Sequence, residues 1–203
     1  LIAEHNVAPS SILAVTFTNK AADELRTRLR ALLKERSRGI TSGTFHSVGL
    51  RILRESIERR IKGYTKDFSI YGTEEQRQLA QSALDSYTGL PALVLEADQL
   101  LQRISRLKSR LLTPQLAQRM ANDPQSSYIA ALYDSYQRRL RKHNAIDFDD
   151  CILLPYQLLT GDPDLLHDYQ QRWRHVLVDE YQDTDHAQHA LVTLLTAEHP
   201  RSL

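Results

Sequence analysis

A chain of 203 residues, 41% hydrophobic and 25% charged, can bury a core and suits one large domain or two small ones. The single cysteine, Cys151, excludes an internal disulfide and fits a reducing cytosol, so a cytoplasmic location is expected. There is no signal peptide and no apolar run near the ~18 residues of a membrane span, so no membrane partner is expected.

The net charge of +1 hides an asymmetry. Residues 20–66 hold thirteen Lys/Arg against five Asp/Glu, and residues 147–203 hold eleven Asp/Glu against three Lys/Arg. One part can face a polyanion while the other holds cations, or both can simply solvate helix faces. The chain opens on "LIAEHNVAPSS" without Met and stops at "AEHPRSL", where a new element is due. A piece of something longer is expected.

Ser11–Phe17, "SILAVTF", is a short apolar run closed by Thr18 and Asn19, and it predicts a buried strand. Thr18 and Asn19 are good helix caps. "KAADELRTRLRALLKERS" then places Leu25, Leu29, Leu32 and Leu33 on one helical stripe, with Gly39 as the expected stop. Ile40–Phe45 predicts a second strand, followed by a basic helix, "HSVGLRILRESIERRI". From about Thr73 to Asn144 the pattern is helix after helix, broken at Gly89-Leu90-Pro91, Thr113-Pro114 and Asp123-Pro124. Tyr128, Tyr133 and Tyr136 follow helical spacing and are expected in the core. His175–Asp179 predicts a third strand, and "HAQHALVTLLTAEH" the helix after it. Strand–loop–helix units at both ends predict a parallel sheet with crossover helices.

The chemistry concentrates at "HVLVDEYQDTD". In parallel sheets, ligands bind beyond the carboxyl ends of the strands, where Asp179 is delivered. One carboxylate there can hold Mg2+, which favours few protein ligands plus phosphate oxygens. Glu180 can orient and deprotonate a water. Gln182 and Asp183 add polar groups that could sense a nucleotide. The alternative is a strand end meeting water. Phe17 and Phe45 are either stacking platforms or core. His46 is either a ligand contact or a satisfied buried histidine. The arginines at 51, 54, 59 and 60 are either phosphate contacts or a solvated helix face. Lys20, in a first helical turn, opposes the macrodipole and hints at a phosphate or carboxylate partner. "DFDD", Asp147–Asp150, is either a helix start favoured by the dipole or, with Asp179, the acid set of a metal nuclease.

The strand followed by DEYQDT closely resembles motif II of the superfamily 1 DNA helicases of the UvrD/Rep group. "ILAVTFTNKAADELRTRL" (Ile12–Leu29) resembles the group's motif Ia, and "GTFHSVGLRILR" (Gly43–Arg54) its motif Ib. "IDFDDCILL" (Ile146–Leu154) is similar to the segment that re-enters the core after a helical insertion. The resemblance implies an incomplete RecA-like, P-loop NTPase-type core over residues 1–55 and 146–203, with an inserted all-helical domain over 56–145. It implies ATP and Mg2+ as cofactors, with Asp179 as metal ligand and Glu180 and Gln182 as catalytic residues. It places Phe17, Thr18, Asn19, Lys20, Thr44, Phe45, His46 and Ser47 along single-stranded DNA. Single strands and single/double-strand junctions are the implied partners, with 3′-to-5′ movement in repair or replication. It leaves the oligomeric state open.

The chain departs from that pattern in lacking any G-x-x-x-x-G-K-[ST], the loop that cradles phosphates. The family places that loop just before Leu1, its next motif after Leu203, and a second motor domain beyond. These 203 residues alone are therefore expected neither to bind ATP well nor to hydrolyse it. A non-enzymatic DNA-binding or interaction module remains the alternative.

Overall fold

Ile12–Thr16 (β1) is buried at all five positions, as a run without alternation must be when both faces of a strand are covered. It pairs in parallel with Thr41–Thr44 (β2) on one side and with His175–Val178 (β5) on the other, giving the order β2-β1-β5. The computed structural model describes residues 1–89 and 93–199. Leu90 and Pro91 of the expected break, and the end from Pro200, lie outside the described residues. Two compact units emerge, one of residues 1–52 with 154–203 and one of residues 53–153.

The first unit holds the three-stranded sheet, opening with the short helix Ile2–His5 (α1). After β1 comes Asn19–Leu33 (α2), and after β2 comes Phe45–Arg60 (α3). Gly39 does not stop α2. The α-helix ends at Leu33, Lys34 turns to φ 50°, and a 3-10 helix runs from Lys34 to Gly39. Beyond Leu33 the run Lys-Glu-Arg-Ser-Arg has no apolar stripe to bury, so packing cannot sustain the helix. Gly39 serves a close approach instead, since a Cβ there would lie 2.9 Å from the Pro9 Cβ. Trp173 is fully buried and donates its indole N–H to Thr41 Oγ1 at 3.3 Å. Before β5 stand Asp150–Gly161 (α8) and Pro163–Arg172 (α9), and His186–Thr196 (α10) follows it. α9 was not anticipated, although its Asp-Pro start is plain: Asp162 accepts from Leu165 N at 2.9 Å.

The second unit packs Thr73–Asp85 (α4), Ala97–Ser109 (α5), Pro114–Met120 (α6) and Pro124–Lys142 (α7) around one core. Tyr128, Tyr133 and Tyr136 lie in that core as their spacing predicts. The unit is not wholly helical. Ser69–Ile70 (β3) and Ala145–Ile146 (β4) pair in parallel. Two-residue strands are too short to carry a periodic signal. Asn144, at φ 48°, sets them up by accepting from Thr65 N at 2.9 Å and donating to Thr65 Oγ1 at 2.7 Å.

Candidate functional site

Parallel register decides where the chemistry meets. Thr16 lies opposite Thr44, and Val15 opposite Val178. The Asp179 amide continues the ladder, donating to Val15 O at 2.9 Å. The carboxyl ends of β1, β2 and β5 therefore share one edge, and the segments Phe17–Lys20, Phe45–Ser47 and Asp179–Asp183 all leave from it. This is the edge at which parallel sheets bind ligands.

The β1 exit is built by capping. Thr18 Oγ1 accepts from Ala21 N at 3.1 Å, which starts α2 and leaves Thr18, Asn19 and Lys20 exposed. Lys20 makes no ion pair among the described residues, although a first-turn cation opposes the helix dipole. The β2 exit is tighter. Thr44 Oγ1 accepts from Ser47 N at 3.2 Å, and Ser47 Oγ donates to Thr44 O at 2.8 Å. Gly43 makes room for that hydroxyl, because a Cβ at 43 would lie 2.2 Å from Ser47 Oγ. Thr44 is thus buried and committed to its helix start, while Ser47 stays exposed.

The two aromatic rings divide their roles. Phe45 is 3% exposed, whereas Phe17 is half-buried, and their centroids stand 5.3 Å apart at 57°. Phe45 is the fixed support and Phe17 the ring presented to solvent. Burial lowers the His46 pKa, with the Asp185 carboxylate acting against that shift. His46 is therefore biased toward its neutral form, which offers one donor and one acceptor.

The β5 exit carries the acids. Asp179 and Glu180 are both exposed. Glu180 sits in the left-handed region at φ 51°, ψ 44°. For a non-glycine residue this costs on the order of 1–3 kcal/mol and must be held by its surroundings. The holding contacts are local. Asp183 N donates to Glu180 O at 2.9 Å, and the Gln182 amide donates to Glu180 Oε2. The Tyr181 hydroxyl pairs with His189 Nδ1 at 2.7 Å, tying the turn to α10. Asp185 and Gln188 form a reciprocal capping box at the start of that helix. Sequence reasoning missed His189 as a support. Its only signal was position, one turn into a helix opened by an Asp-x-x-Gln box.

No group of three metal-ligating side chains occurs among the described residues. A lone exposed carboxylate suits Mg2+ that brings phosphate oxygens with it, and not a protein-built cage. The nuclease reading of Asp147, Asp149, Asp150 and Asp179 loses two of its acids to another partner. Asp147 and Asp150 are buried and already hold a cation: Lys108 Nζ lies 2.6 Å from Asp147 Oδ2 and 2.8 Å from Asp150 Oδ1. The helix-start reading stands, because Asp150 N donates to Asp147 Oδ1 at 2.9 Å as α8 begins. Tyr136 OH donates to Asp147 Oδ2 at 3.0 Å, and the Gln137 amide to Asp150 Oδ2 at 2.9 Å. Burial, joined by the Asp147 charge, pushes the Asp150 pKa up to about 6 against the pull of Lys108. Burial alone would lower the Lys108 pKa, but the two aspartates outweigh it and hold it well above its ordinary value. Lys108 could have been found in the sequence, since it continues the buried stripe of Leu100 and Ile104 at four-residue steps.

A groove of about 640 Å³ between α2 and the sheet reaches Asp179 at one end, but leucines and isoleucines line most of it. Apart from Arg28, its walls offer phosphates little.

The sequence comparisons agree on one family. Residues 1–203 match the family described as "UvrD/REP helicase N-terminal domain". The chain is 40% identical over 195 residues to the ATP-dependent DNA helicase PcrA of Staphylococcus epidermidis strain RP62A, covering 96% of this chain and 26% of that protein. It is 37% identical over 198 residues to the ATP-dependent DNA helicase PcrA of Staphylococcus aureus strain Mu50, covering 98% of this chain and 27% of that one. The chain spans about a quarter of the length of these curated relatives. With the whole chain inside the match, it belongs to the UvrD/REP helicase N-terminal domain family.

Proposed function

We propose that these residues supply part of the first motor domain of an ATP-dependent DNA helicase, with the sheet of the first unit as a RecA-like core. The observation that carries this reading is the parallel register that gathers the ends of β1, β2 and β5 at one edge. Asp179 would hold Mg2+, which would supply positive charge against the phosphates of a bound nucleotide. Glu180 would take a proton from the attacking water, its carboxylate aimed by the Gln182 amide and by the strained turn. Phosphate-cradling groups are not among these side chains, and the sequence has no G-x-x-x-x-G-K-[ST] to provide them.

Single-stranded DNA would run past the exits of β1 and β2. Phe17 stacks a base, with Phe45 buried behind it as support. Lys20, the exposed hydroxyl of Thr18 and the Asn19 amide meet phosphates, while Ser47, whose hydroxyl proton goes to Thr44 O, lines the track. Thr44 and His46 shape the track from beneath. Movement would be 3′ to 5′, coupled to ATP turnover, in repair or replication.

The test has two arms. The chain should bind a fluorescent single-stranded oligonucleotide, and Phe17→Ala should weaken that binding. ATP turnover by the 203-residue chain should equal that of its Glu180→Gln variant. Faster turnover by the unsubstituted chain would refute the reading that these residues supply only part of an ATP site. Oligonucleotide binding unchanged by Phe17→Ala would remove the DNA track and favour an interaction module.

A further inference from the structure

The second unit carries a feature the motor reading leaves unused. A cleft of about 340 Å³ is bounded by α5, α6 and α7, and lined among others by Arg103, Arg106, Arg110, Leu107, Met120 and Ile129. The arginines follow from the helix period. Leu100, Ile104 and Lys108 take the buried face of α5, which turns positions 103, 106 and 110 outward in one stripe. All three are exposed, and none makes an ion pair among the described residues. Two other exposed arginines of the same unit do find carboxylates: Arg77 pairs with Asp98 at 2.9 Å, and Arg138 with Asp134 at 3.0 Å. The cleft also has an apolar floor. Ala117 and Ile129 are buried, and Met120 stands 60% exposed beside them. An exposed, adaptable thioether next to bare guanidinium groups is a binding combination, because one wants apolar cover and the other carboxylates or phosphates. Asp123 lies on the rim, but its carboxylate is spent on capping α7, accepting from Ser126 N at 2.9 Å. It leaves three cations facing one acid.

We propose that this cleft is a docking site for an acidic amphipathic segment of a partner protein. Its carboxylates pair with Arg103, Arg106 and Arg110, and its apolar side chains cover Met120, Leu107 and Ile129. A nucleic acid fits less well. A phosphate backbone would use the arginines but leave Met120 and the apolar floor without a counterpart. Apolar anchors at helical spacing, flanked by acids, satisfy both halves of the site at once. The inference is independent of the ATP and DNA roles assigned to the first unit.

A fluorescein-labelled helical peptide of about four turns, with Leu at i, i+3 or i+4 and i+7 and Glu at the remaining positions, is the probe. Anisotropy titration of the 203-residue chain should give saturable binding. Arg103→Glu with Arg106→Glu should weaken it by about tenfold or more, and Met120→Ala by a few-fold. Both sites are exposed, and matching thermal melts would establish that the variants fold. Should the double reversal misfold, Arg103→Gln with Arg106→Gln serves the same purpose. A matched peptide with its Leu anchors changed to Ala should lose most of its affinity. Three results would overturn the proposal: no saturable binding at millimolar peptide, binding indifferent to the arginines, or a short DNA duplex that binds through the same arginines and displaces the peptide while the Ala-anchor peptide binds equally well.

Discussion

Glu180 shows how a single residue can be held against its own preference. It shares a positive φ with Asn6, Lys34, Leu111 and Asn144 among the non-glycine residues described, yet it alone of these lies at the shared sheet edge. The backbone there would suit glycine. Glu180→Gly should therefore raise the melting free energy relative to Glu180→Gln by about 1 kcal/mol, as measured by urea denaturation. A lower stability for the glycine variant would mean that the turn is not strained. The aromatic pair makes a second residue-scale contrast. Phe17→Ala should cost single-strand affinity about 1–3 kcal/mol, with little change in stability. Phe45→Ala should instead cost about 3–5 kcal/mol of stability, because it empties a buried site. Were the two variants to behave alike, the division into presented ring and supporting ring would fall.

At the scale of elements, the informative cluster is the one that ties α5 and α7 to the start of α8. Lys108, Asp147 and Asp150 are each at most 3% exposed, so removing the cation strands two carboxylates in the core. Lys108→Met should cost about 3–5 kcal/mol at neutral pH, and less in acid, where the carboxylates protonate. The pH dependence has a definite sign. Asp150 has its pKa raised to about 6 in the folded chain, above the ordinary carboxylate value. Its contribution to stability is complete below about pH 4 and is lost as pH rises through about 6. The pKa of Lys108 is also raised, so its own contribution fades only above the ordinary lysine range, outside this window. Asp150→Asn should flatten the stability profile between about pH 4 and 6, and a profile left unchanged by that substitution would assign the slope to another group. The same cluster marks what was legible in the sequence. β1 and the Thr18 cap were readable, because burial on both faces and N-capping leave local signatures, and β5 was readable from its short apolar, β-branched run even though Leu177 is exposed. The acids of Asp147–Asp150 were readable as a helix start, but their partner lies 39 residues away from Asp147, and a long-range pair leaves no local mark. The two-residue strands β3 and β4 were too short for any period, and Gly39 was misread because a close approach to Pro9 resembles a helix stop in sequence.

For the molecule as a whole, net charge says almost nothing and its placement says a good deal. The basic run over residues 20–66 begins at the exit of β1 with Lys20, while the acids of β5 stand at the same sheet edge. A polyanion drawn to that edge meets a local field of both signs, so contact has to come from individual cations and not from overall attraction. That makes the salt dependence of single-strand binding a sharp measurement. For single strands, log K falls with log salt at a slope of about −0.7 per phosphate neutralised. If Lys20 meets one phosphate, Lys20→Ala should make the slope shallower by about 0.7 while weakening binding evenly across base sequences. Phe17→Ala should lower affinity at every salt concentration and leave the slope where it was, because stacking releases no counterions. The two variants thus separate the charged part of the track from the aromatic part in one titration series. A slope unchanged by Lys20→Ala would move the phosphate contact to another cation of the 20–66 run, and a slope changed by Phe17→Ala would mean that the ring positions the backbone and does not stack a base.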